Sequence, residues 1–233
     1  MLAPVTSAGI LFTMTGRKSI FLAAAVILAL AYSALSSAAA KFGIPGGDTV
    51  EIKRCGKGTA YVYPTYIIYT IKSPYFEGQD IYVYKPRGSV SDPCSLTSRA
   101  YYYKISAGEL GGAHTFLGMH GEDMFIDEWP GRDNKRLLVI DANEKSVVYF
   151  DWYADPVIDG GTLRYNRVLK AGREAEKEVP CPDAGKWKKE GLMVLYVEKM
   201  ALDLKTMQET HTGEFFCESA PAVTRKAADY TIH

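Results

Sequence analysis

Ser146-Val147-Val148-Tyr149-Phe150-Asp151-Trp152 is the stretch that decides the fold class. It is built from β-branched and aromatic residues with no Gly or Pro, a composition that suits a pleated, half-buried strand. Strict alternation places Val147, Tyr149 and Asp151 on one face and Val148, Phe150 and Trp152 on the other. The second set is wholly apolar and is expected to face the core. Turn-forming residues stand on both sides, Asp141-Ala142-Asn143-Glu144 before and Asp159-Gly160-Gly161 after. Beyond them lie strand-like runs at residues 136–141 and 162–169, so antiparallel hairpins are predicted.

The same short period continues outward. Upstream runs occupy residues 49–54, 59–71, 80–84, 100–105 and 123–127, and downstream runs occupy 192–204 and 213–217, all punctuated by Gly and Pro. No helical periodicity intervenes, which predicts an all-β protein, an antiparallel β-sandwich or barrel-like sandwich. One short helix is expected in the C-terminal section, at residues 181–191, where Pro182 sits near the start and Gly191 past the end. The charged stretch 170–180 lacks large apolar residues and reads as a solvated linker or loop. The organisation expected is a signal peptide at 1–40, a β-sandwich domain at 41–169, the linker at 170–180, and a section at 181–233 packed on the sandwich.

The chain has 233 residues, 47% of them hydrophobic, with 27 basic and 27 acidic side chains. This is an ordinary globular composition. The balanced charge leaves no cationic excess to neutralise a phosphate backbone, so nucleic acid is not an expected partner. Sixteen tyrosines agree with a β-rich body, and four histidines and four cysteines leave few parts for a metal or nucleophile site.

Arg17 and Lys18 precede an apolar run from Ser19 to Ala31 and then the small residues Ser36-Ser37-Ala38-Ala39-Ala40. A basic start, an apolar centre and a small-residue cleavage site make a secretory signal. The strictly apolar run is 13 residues, short of the ~20 that a spanning helix needs, so cleavage after Ala40 is expected rather than retention as an anchor. Met14 stands just ahead of the basic pair and is an alternative start to Met1. Cleavage removes two basic residues and leaves a slightly acidic product with no membrane span, periplasmic or secreted. An oxidising compartment follows, in which Cys55, Cys94, Cys181 and Cys217 can pair in three ways. Pairing of sequence neighbours, Cys55 with Cys94 and Cys181 with Cys217, is the expectation adopted. None of the four lies in a C-x-x-C pair, so disulfides are preferred to zinc.

His114, His120, Glu122, Asp123, Asp127 and Glu128 form the densest set of titratable groups. They are read as turn and surface carboxylates rather than as a metal or acid/base site, because ligands must converge on one ion and these are spread along a strand and its turns. No metalloprotease, hydrolase-elbow, phosphate-loop or calcium-loop spacing occurs. No catalytic residue, metal or cofactor is assigned. The tyrosines at 61, 63, 66, 69, 82, 84 and 101–103 divide between core and outer face, where Tyr offers rigid contact area at low entropic cost.

Residues 116–169 carry an ordered series: Phe116-Leu117-Gly118, Asp123-Met124-Phe125-Ile126-Asp127, Arg136-Leu137-Leu138-Val139-Ile140-Asp141, Val148-Tyr149-Phe150, Asp155-Pro156 and Gly161-Thr162-Leu163-Arg164-Tyr165. This series, about a quarter of the chain, resembles the bacterial periplasmic inhibitors of invertebrate-type lysozyme. The resemblance implies an antiparallel β-sandwich with a loop that enters the lysozyme cleft, carrying Ser-Gly followed closely by Tyr. Here Ser106-Ala107-Gly108 has an interposed Ala and no following Tyr, and the 161–165 segment has no Ser, so no inhibitory residue carries over.

The function expected is that of an exported, non-catalytic binding protein whose partner is a lysozyme, another envelope protein or a glycan. Its binding loops are placed at the Gly-rich connections, with Gly108, Glu109, Trp129, Arg132 and Asp133 as candidate contacts. The alternatives are a cell-envelope hydrolase using Glu122, Asp123 and Glu128, opposed by Asp151 or Asp155, and a structural envelope protein held by its disulfides.

Overall fold

The computed structural model describes residues 43–86, 88, 90, 92–96, 101–110, 112–129, 135–178 and 180–221. Five strands, β1 (Glu51–Cys55), β2 (Gly58–Val62), β3 (Ile67–Lys72), β4 (Gln79–Tyr84) and β5 (Tyr103–Ile105), form one antiparallel sheet in chain order. Seven more, β6 (Ala113–His120), β7 (Asp123–Trp129), β8 (Arg136–Asp141), β9 (Ser146–Asp159), β10 (Thr162–Ala171), β11 (Leu192–Asp203) and β12 (Gln208–Pro221), form the second, also in chain order. The predicted run at 59–71 divides into β2 and β3, because Pro64 turns the chain and Tyr63 N–H closes onto the Tyr66 carbonyl at 2.8 Å. Two short helices, α1 (Ala175–Glu178) and α2 (Ala184–Lys189), lie between β10 and β11. Thus Lys170 and Ala171 complete β10, and the charged stretch after them holds a helical turn whose Ala175 is buried.

The turns form for local reasons. Asp141 Oδ1 accepts from the backbone N–H of Asn143 and Glu144, both at 2.8 Å, and this Asx device folds β8 back into β9. Asp203 repeats it between β11 and β12, accepting from Lys205 and Thr206 N–H. Between β9 and β10, Gly160 and Gly161 both take positive φ, as a two-residue hairpin turn requires.

Two cores result. Between the sheets pack Tyr61, Tyr66, Ile68, Ile81 and Val83 from the first and Phe116, Met124, Ile126, Leu138 and Ile140 from the second. On the other face of the second sheet, Phe125 of β7, Val139 of β8, Tyr149 of β9, Leu163 of β10 and Met200 of β11 meet in one cluster. Residues that far apart in one sheet touch only if it curls, so β7 and β8 are apolar on both faces. A bulge at Leu117 in β6, where Gly118 takes a φ of 137°, keeps Phe116 and Met119 both in the shared core.

The expected core face of β9 is not observed: Val147, Val148 and Phe150 are all exposed, Tyr149 is buried and Trp152 is half-buried, and a register slip between Val139 and Ile140 breaks the alternation. The five-stranded sheet contributes no cover this far along, since β9 adds nothing to the shared core. Tyr149 and Asp151 instead turn into the curl, where Asp151 accepts from Tyr165 Oη at 2.6 Å and pairs with Arg167, which reaches Glu209 at 2.6 Å.

Two disulfides are present, Cys55–Cys94 and Cys181–Cys217, in the expected pairing. Such bridges suit an oxidising compartment. Among the described residues no helix is long and apolar enough to cross a membrane.

Candidate functional site

The loops leaving β3 and β5 meet at one end of the sandwich, where the sheets are joined. Gly78 bridges His114 in parallel, and the Gln79 side chain accepts from Phe116 N–H at 3.1 Å. A side chain on Gly78 would strike the His114 backbone at 2.5 Å, so the join requires glycine. Ala107 N–H donates to Asp80 Oδ1 at 2.9 Å and fixes the base of the loop after β5.

That loop is closed by its own carboxylate. Glu109 Oε2 accepts from Ser106 N–H at 2.8 Å while Glu109 N–H donates to the Ser106 carbonyl at 3.0 Å. Gly108, at a φ of 83°, leaves its Cα face bare, and the ring of Phe76 lies over it. Phe76 belongs to the connection between β3 and β4, held at its base by Ser73 N–H on the Gly78 carbonyl and by Ser73 Oγ facing the N–H groups of Tyr75 and Phe76 at 3.4 Å. Tyr75 is 87% exposed and Phe76 62% exposed. The structure thus brings Gly108 and Glu109 together and adds Tyr75 and Phe76, which sequence reasoning passed over. Ser73-Pro74-Tyr75-Phe76, a turn former beside two adjacent aromatics between strand runs, was the available signal. Trp129 ends β7 at this same end, but alternation puts its side chain on the face opposite Glu128. Arg132 and Asp133 lie outside the described residues.

Beneath the loops runs a row of charge. His114, Glu128 and Arg136 are direct cross-strand partners on β6, β7 and β8. His114, Asp127 and Glu128 are buried, which corrects their reading as surface groups, while Glu122 is exposed: Glu128 shares its face with Ile126 and Met124, under the first sheet. Arg136 binds one carboxylate oxygen, Nε to Oε2 at 2.5 Å, and its guanidinium also lies over the Phe150 ring at 5.3 Å. The other oxygen, Oε1, faces His114 Nε2 at 3.7 Å, and among the described residues neither it nor either ring nitrogen has a hydrogen-bond partner. Burial holds the His114 pKa below its ordinary value, against the pull of Glu128. A neutral imidazole beside an ion pair results.

The rest of the titratable set disperses. His120 pairs with Asp48 at 3.3 Å, Asp127 with Lys135 at 2.5 Å, and Asp151 sits in the Arg167 network. Asp123 is raised to about 6 by burial and by Asp141. Among the described residues no group of three or more His, Cys, Asp or Glu side chains is arranged to hold a metal ion. What the loop end can do chemically is offer rigid aromatic area beside the exposed Glu109. No family model, no curated protein and no solved structure matches this chain.

Proposed function

We propose that this chain is exported by its N-terminal signal and acts without catalysis, binding a protein or glycan of the cell envelope through the loop end, with inhibition of an invertebrate-type lysozyme as the sharpest form of that role. The observation that carries the reading is the exposure of Tyr75 and Phe76 on a loop pinned at its base. Two adjacent exposed rings on one pinned loop suit a partner, because an aromatic anchor buries much area while losing little side-chain freedom. Two disulfides and the Arg17-Lys18 signal pattern support export, and cleavage after Ala40 leaves the packed segment at 43–48 whole.

The test has two arms. Purified, oxidised protein is assayed against invertebrate-, goose- and chicken-type lysozymes, and its binding to envelope proteins and peptidoglycan glycans is measured in parallel. Phe76→Ala and Tyr75→Ala should each weaken binding by roughly 10- to 100-fold while leaving thermal unfolding almost unchanged. No slowing of any lysozyme at micromolar protein would remove the inhibitor form. Full binding by the double variant would remove the loop end as the site.

A further inference from the structure

Among the described residues none of β9 to β12 contributes to the core between the sheets, and their face on that side carries a groove of about 440 Å³. That volume falls within the range of about 300–1,000 Å³ typical of small-molecule sites. Ala154, Val168, Met193, Leu195 and Ala220 make its apolar wall. Register puts Glu218 directly opposite Leu195, on this same face, amid apolar neighbours. One Glu218 oxygen accepts from Asn166 Nδ2 at 2.7 Å, and the other is buried with no hydrogen-bond partner among the described residues.

Among the described residues, charge at the groove does not balance. Lys135 lines it, but its ammonium is held by Asp127 at 2.5 Å. Asp155 also lines it and makes no ion pair among the described residues. It stands at a bulge where β9 and β10 slip register between Arg164 and Asn166, with a φ of 46°. Bulges re-aim side chains, and a non-glycine residue in this backbone region is uncommon. Burial, together with the negative charge of Asp155, raises the Glu218 carboxyl to about 7, the response of an acid whose surroundings lack a cation.

We infer that the groove is a binding site for a small amphiphilic amine, its alkyl or aryl part seated on Ala154, Val168 and Leu195 and its ammonium beside Asp155, supplying a positive charge that no described residue gives to Asp155 and Glu218. This site shares no residue with the loop end, and its success or failure is read independently of Tyr75 and Phe76.

The experiment titrates the full oxidised chain with decylamine, decanol and decanoate, below their micellar concentrations, by calorimetry at pH 8. The amine should bind roughly tenfold tighter than the alcohol, and the carboxylate most weakly. Asp155→Asn keeps a residue that tolerates the left-handed backbone and removes the charge. It should cut amine affinity by roughly 3- to 10-fold and leave the alcohol unchanged. Glu218→Gln, which can still accept from Asn166, should also reduce the amine preference. Equal binding of decanoate and decylamine, no binding of any of the three, or an amine preference untouched in both folded variants would overturn the proposal.

Discussion

Glu128 bears a charge with no access to water, and only its Arg136 side is fully satisfied. Removing one member of a buried pair leaves the other uncompensated, so Glu128→Ala should cost about 3–5 kcal/mol in urea unfolding. A loss under 1 kcal/mol would mean that water reaches Arg136 freely and the row is not structural. Glu218 gives the pH counterpart. Its folded pKa is raised from 4.5 to about 7, so the fold favours the neutral acid, and its stability contribution is complete below pH 4.5 and lost as pH rises through 7. Glu218→Gln should therefore match the parent near pH 4 and exceed it at pH 8 by about 1–2 kcal/mol, a figure already reduced for the partial exposure of the carboxyl. A stability difference that stays constant across that window would show that the carboxyl is not its source. His114 works in the other direction: its pKa is lowered, so its contribution is complete above 6.5 and lost as pH falls. Comparing variants with the parent separates the two, where the parent's curve alone would blend them.

At the scale of elements, the segment before β1 shows how little of a closure need be strand. Ile44-Pro45-Gly46-Gly47-Asp48 spans from β9 to β6: Ile158 N–H donates to the Pro45 carbonyl at 2.7 Å and Asp48 N–H to the Met119 carbonyl at 2.8 Å. Gly46 has a φ of 85°, and a Cβ there would stand 1.8 Å from the Ile158 carbonyl oxygen. Gly46→Ala should then destabilise by at least about 2 kcal/mol, combining left-handed strain with displacement of the strap, and hydrogen exchange at Ile158 should quicken. Protection at Ile158 equal to the parent's would place the strap elsewhere in solution. Strand positions were legible where alternation and turn chemistry agreed, as at β8 and its Asp141 turn. They were not legible at β6, because His114, Thr115 and the Gly118 bulge break the period of two. The buried face of β9 was misread because Tyr149 and Asp151 look polar in isolation. Their burial depends on Tyr165 and Arg167 from the neighbouring strand, and a single strand's pattern contains no record of that partner.

For the whole molecule, the two bridges close different parts of the chain. Cys55–Cys94 ties the edge strand β1 to the connection between β4 and β5, and Cys181–Cys217 ties the helical connection to β12. The first joins residues beside the small Ala60, Ile67 and Tyr84 core. The second anchors the wall of the groove, since β12 supplies Ala220 and Pro221 to it. The loop end could be glimpsed in the sequence through Gly108 and Glu109, but the groove could not, because its wall draws on four strands and its charge imbalance on residues from β9 and β12. With separations of 39 and 36 residues, each crosslink should contribute on the order of 3–4 kcal/mol by restricting the unfolded chain. Cys181→Ser with Cys217→Ser should lower the unfolding midpoint and loosen the groove while leaving Tyr75 and Phe76 presented as before. Cys55→Ser with Cys94→Ser should lower the midpoint to a similar degree and leave amine binding intact. Unfolding with and without dithiothreitol, paired with calorimetry on each double variant, checks both halves. An equal midpoint in reductant would mean that the β-sheets alone hold the fold, and that export into an oxidising compartment adds nothing to its stability.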